Sequence, residues 1–119
     1  MRILPDYHEQ TVSEHHVELQ LTITEDIEYL KGHFNDHPIL PGVVQTQWAI
    51  HFAKLYWNIT VECQTLKQIK FKELIMPNHT VTLLLDYKPD KNQLHFKYLA
   101  LQSKAVLSSG IIEKVLSHS

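Results

Sequence analysis

Residues 32 to 42 read Gly32-His33-Phe34-Asn35-Asp36-His37-Pro38-Ile39-Leu40-Pro41-Gly42, and this run holds two of the chain's three glycines, two of its five prolines and two of its nine histidines. Gly opens backbone angles closed to other residues and Pro fixes φ near about −65°, so the chain is steered tightly around His33. A helix is predicted to begin at Pro41 or Gly42. Its first amides lack intrahelical partners and carry partial positive charge, which suits a developing oxyanion; an imidazole titrating near neutrality suits proton transfer. A base beside an oxyanion site describes carbonyl chemistry. Taken alone, His33 would read as a turn histidine; inside this frame it reads as the base.

The elements that must hold this turn are set by hydrophobic rhythm. Val17, Leu19, Leu21 and Ile23 alternate with polar neighbours, the period of a half-buried strand. From Val43 to Trp57 the apolar residues thicken into a segment too long for a typical strand and apolar around most of its circumference, which predicts one buried helix ended by Asn58. Alternation then resumes through Leu66, Ile69 and Phe71, through Val81, Leu83 and Leu85, through Leu94, Phe96 and Tyr98, and in a last run from Ala105 to Val115. Turn residues at Met76-Pro77-Asn78-His79 and Lys88-Pro89-Asp90-Lys91-Asn92 predict an antiparallel meander for the strands after the helix. An all-round-apolar helix among five to six such strands buries itself only if the sheet curls around it. The expectation is an α+β hot-dog fold: a curled antiparallel sheet of five to six strands wrapped around one long buried helix, as a single domain over residues 1–119.

Composition narrows the function classes. Eleven Lys and Arg against 13 Asp and Glu, with no dense basic cluster, argue against nucleic acid as a partner. The first ten residues lack the apolar core of a signal peptide and no run approaches a membrane span, so a cytoplasmic protein is expected, and the sequons at Asn58 and Asn78 read as chance matches. The single cysteine, Cys63, excludes an internal disulfide and reads as a buried, inert thiol. His33, Asp36 and His37 fall within five residues with no distant further ligand, so no metal is assigned and no cofactor is expected. His15, His16 and His118 read as exposed, and Trp48, Phe52 and Trp57 as core or dimer packing. A chain this short often gains stability by pairing, so a dimer is expected.

Gly32-His33-Phe34 followed by Pro38-Ile39-Leu40-Pro41-Gly42-Val43 resembles the signature of the 3-hydroxyacyl-[acyl-carrier-protein] dehydratases of the FabZ and FabA kind. The likeness continues through Phe71-Lys72…Pro77 and Ser108-Ser109-Gly110, and the helix opening Val43-Val44-Gln45…Trp48-Ala49 is most similar to the aryl-polyene, ApeI-like branch. The resemblance implies dehydration of 3-hydroxyacyl thioesters, carried on acyl carrier protein, to trans-2-enoyl thioesters in fatty-acid or polyene-type biosynthesis. It implies His33 as base and the backbone N–H near Gly42 and Val43 as oxyanion donor, with Phe34 and Pro41 shaping the substrate site.

Two positions depart from the family pattern. The proline that usually comes after Gly-His-Phe is Asn35, and the helix Glu or Asp contributed by the partner subunit is Gln47. An amide orients a hydroxyl or water but delivers no proton at neutral pH, and losing general-acid assistance costs a factor of about 10² to 10⁴. Three accounts are open: His33 moves the proton both ways while Gln47 orients substrate, His51 on the same helical face substitutes, or an acid comes from a different partner chain. His51 reads first as a packing residue. A noncatalytic or heteromer-dependent acyl-binding subunit is therefore an alternative, with either a homodimer or a heteromer with a related dehydratase. An acyl-thioester hydrolase is the other alternative, weakened because the helix carries no carboxylate to activate water.

Overall fold

A computed structural model describes residues 3–26 and 39–117, with backbone alone at 62–64 and 117. The expectations for His33 and Phe34, together with Gly32, Asn35, Asp36, His37, Pro38 and His118, lie outside the described residues, as does the side chain of Cys63. Among the described residues six strands, β1 (Asp6–Val12), β2 (His16–Ile23), β3 (Ile59–Phe71), β4 (His79–Lys88), β5 (Gln93–Ala100) and β6 (Val106–Ser117), accompany one α-helix, α1 (Gly42–Tyr56). All pair antiparallel in the order β1-β2-β4-β5-β6-β3. This is the hot-dog arrangement, with the sheet curled about the helix.

The core is built from the inward halves of the strands. Val17, Leu19, Leu21 and Ile23 of β2 face Val81, Leu83 and Leu85 of β4 and Leu94, Phe96 and Tyr98 of β5, all buried with Val44, Trp48, Ala49, Phe52 and Ala53 of α1. Trp48 and Phe52 are core residues as expected, while Trp57 is partly buried, its indole N–H donating to the Glu14 carbonyl at 2.6 Å. The sheet bends where β3 shifts register against β6 between Lys67 and Lys70, with Gln68 at φ 50°. An extra residue in one strand increases local twist, and here it turns the long β3 around the helix. The β4–β5 hairpin closes through a short 3₁₀ turn at Pro89–Lys91 and Asn92 in the left-handed region at φ 52°.

Three expectations are corrected, and one strand carries no sequence signal. β1 carries no hydrophobic alternation because all seven of its residues are exposed; it forms by pairing with β2 and by Tyr7 packing edge-on against Phe52 at 5.0 Å. The strands after the helix are not one continuous meander: β4, β5 and β6 are, but β3 pairs with β6 instead of its sequence neighbour β4, leaving β3 and β1 as the two edges. The helix is not buried all round, since Val43, Gln47, His51 and Leu55 recur every four residues along an exposed stripe.

His16, expected to be exposed, is half-buried between two acids. Its Nδ1 lies 2.6 Å from Asp86 Oδ1 and its Nε2 2.8 Å from Glu18 Oε2. Ionised carboxylates only accept, so this geometry suits the imidazolium form, in which both ring nitrogens donate. Its pKa is raised by the Glu18 hydrogen bond first and by Asp86 as well, against a lowering from burial.

Candidate active site

Local sequence explains where α1 begins. Pro41 sits at φ −61° and ψ 147°, an extended residue whose ring cannot donate, and helical geometry starts at Gly42. Val44 and Gln45 donate to the Pro41 carbonyl at 3.0 and 3.1 Å. Among the described residues no side chain caps this end, and its first turn holds no acid. The positive end of the helix therefore meets no carboxylate of its own first turn.

Gly42 stands at a close approach. The Phe71 ring lies over it, so a Cβ built there would come 2.6 Å from Cζ. Beside it is a cavity of about 290 Å³ lined by Leu40, Gly42, Gln45, Phe71, Lys72 and Leu74 among others. Glu73 and Leu74 line both this cavity and a larger apolar hollow of about 410 Å³ that Met76, Val81 and Leu107 help line. Leu74 is 67% exposed and Phe71 50%, so the mouth of this region presents apolar side chains to solvent.

Of the residues expected from sequence, Pro41, Gly42 and Val43 come together at the helix start. Gln47 does not line that cavity; it lies on the exposed stripe, flanked one turn either side by Val43 and His51. His51 makes an edge-on ring contact with Phe52 at 5.3 Å.

The residue that sequence reasoning passed over is Gln45. It is 3% exposed; its Nε2 donates to the Leu40 carbonyl at 3.0 Å and its Oε1 accepts the Ser108 hydroxyl at 2.6 Å. The Tyr98 hydroxyl, fully buried with its pKa pushed well up by that burial, donates to the Gln45 main-chain carbonyl at 2.7 Å. A readable signal existed: Gln45 shares the face of Trp48, Ala49 and Phe52, where an amide stands among core residues.

Among curated proteins, none matches the chain. The dehydratase heterocomplex ApeI:P of Xenorhabdus doucetiae is similar at 26% identity and a TM-score of 0.82, over 96% of this chain and 99% of that one. An uncharacterized protein of Erwinia carotovora subsp. atroseptica is similar at 30% identity and TM-score 0.77, over 98% and 97%. The smu.793 protein of Streptococcus mutans UA159, solved bound to acetyl CoA, shares the fold at 8% identity and TM-score 0.72, over 100% of this chain and 94% of that one. Residues 9–111 match the ApeI-like family, that of the ApeI dehydratase, so the chain belongs to that family.

Proposed function

We propose that the protein dehydrates 3-hydroxyacyl thioesters presented by acyl carrier protein. The base, His33, takes a proton from C2; negative charge builds on the thioester oxygen, which the Gly42 and Val43 amides stabilise by donating to it; the C3–O bond breaks as the hydroxyl leaves as water with a proton returned by the His33 imidazolium or given by a partner's acid, and the C2–C3 double bond forms. The observation that carries this reading is the helix start at Gly42, with no side-chain cap among the described residues, no acid in its first turn and a cavity beside it. The reading puts the protein in the cytoplasm with its carrier.

The exposed stripe supports an active site shared between two subunits. Val43 and Leu55 are 61% and 56% exposed on a helix whose other apolar residues are mostly buried, and β3 offers an open edge. A second subunit covering both would bring Gln47 into its partner's site. A heteromer is a specific second reading, because Gln47 stands where the family carries an acid and the X. doucetiae relative is a heterocomplex. In that case an acid-bearing homologue supplies the proton donor.

Mass spectrometry of 3-hydroxyacyl carrier protein incubated with this protein, alone and with an acid-bearing homologue, tests the reading. Loss of water is expected. Loss of the whole acyl chain would make the protein a thioester hydrolase, and no change under either condition would make it a noncatalytic acyl-binding subunit.

A further inference from the structure

We infer that Gln45 is a positioning residue that aims the helix-start amides of Gly42 and Val43, acting through the Leu40 carbonyl. Its rate consequence rests on the dehydratase reading; its structural consequence does not.

A buried amide without partners costs about 1–3 kcal/mol, and an apolar side chain of like volume would fill the space without that risk. Gln45 is fully engaged instead. Its side chain bridges Leu40 to Ser108, and its main-chain carbonyl takes the Tyr98 hydroxyl. Ser108 and Tyr98 are register partners across β6 and β5 and both are wholly buried, so the anchor is the rigid centre of the sheet. On its other side Leu40 donates its N–H to the Ile75 carbonyl at 2.7 Å. The residue before Pro41 is thus held at both of its polar groups.

Pro41 transmits that hold to the helix. The Leu40 carbonyl belongs to the peptide plane that ends at the Pro41 nitrogen, and the next plane carries the Gly42 N–H. Proline's ring fixes φ between them, leaving ψ, here 147°, as the one soft angle. The Val44 and Gln45 amides, which donate to the Pro41 carbonyl at 3.0 and 3.1 Å, hold that ψ, so clamping the first plane orients the second together with the helix. With no side-chain cap at this end among the described residues, the buried amide takes the orienting part that a cap plays elsewhere. Ser108 is far from Gly42 in sequence, which couples the start of the helix to the middle of the sheet.

The test uses the full chain with Gln45→Leu, Ser108→Ala and the double variant. In amide nitrogen–proton spectra, Gly42 and Val43 should move or broaden in each single variant while the Trp48 indole signal stays in place. In dehydration assays at a temperature well below unfolding, kcat should fall about 10- to 100-fold with KM within about twofold, as expected for misplaced rather than missing groups. The double variant should match the worse single one, because both break one bridge. Unchanged Gly42 and Val43 signals in folded variants, or kcat within twofold of wild type, would overturn the inference. If wild type dehydrates nothing, alone or with an acid-bearing homologue, the dehydratase reading falls and the amide spectra still decide the role of Gln45. Should Gln45→Leu fail to fold, Ser108→Ala carries both measurements.

Discussion

The Phe71 ring covers Gly42 so closely that a Cβ on Gly42 would sit 2.6 Å from Cζ. Phe71 is 50% exposed and can swing outward, whereas the second crowded glycine, Gly110, meets the ring of Phe96, which is 1% exposed, at 2.8 Å. Gly110→Ala should therefore cost about 1–3 kcal/mol by overpacking. Gly42→Ala should cost less than about 1 kcal/mol, helped by the better helix propensity of Ala. Urea midpoints of the two variants check this; equal losses would mean that Phe71 is as fixed as Phe96.

His33→Ala should lower dehydration by about 10² to 10⁴, the factor for losing a general base, while leaving circular dichroism and the unfolding midpoint unchanged. A variant keeping more than about a tenth of wild-type turnover, above that range, would remove His33 from the mechanism.

Gln47 lies on the exposed stripe, about one and a half turns after Gly42. Gln47→Glu should preserve or raise dehydration by restoring a titratable group, and Gln47→Ala should lower it through lost positioning. Equal activity of Gln47→Ala and wild type in a homodimer would leave this side chain without a role.

Association should be visible directly. Light scattering at micromolar concentration should give twice the 13.9 kDa chain mass, or the mass of a heteromer when a homologue is present. Leu55→Glu should shift the protein toward monomer and reduce activity with it, because the charge lands on the stripe. A wild-type monomer would rule out a shared site.

The His16 ion cluster makes stability pH-dependent with a defined sign. Its folded pKa is raised above the ordinary 6.5, so its contribution is fully present below about pH 6.5 and is lost as pH rises through the folded value. The three side chains are 31%, 36% and 40% exposed, which holds the contribution to about 1 kcal/mol or less. Denaturant midpoints of wild type and His16→Gln should differ most near pH 6 and converge toward pH 9. A gap that widens with pH would contradict the imidazolium.

Periodicity made the fold legible wherever burial imposed it. The alternating Val17-to-Ile23 and Leu94-to-Tyr98 runs and the dense Val43-to-Trp57 segment each declared its element, because core contact selects apolar residues at the period of the backbone. β1 declared nothing, since no residue of it is buried and its formation depends on the edge that β2 offers. The Gly-His-Phe to Pro-Gly frame identified the family and the helix start, because proline and glycine constrain the backbone locally. The exposed Gln47 stripe, the β3–β6 pairing, His16 between Glu18 and Asp86, and the Gln45 bridge to Ser108 all join residues through space. Glu18 and Asp86 reach one imidazole from different strands, and Gln45 and Ser108 are 63 residues apart. Only folding sets such distances, because no local backbone preference reaches across that much chain.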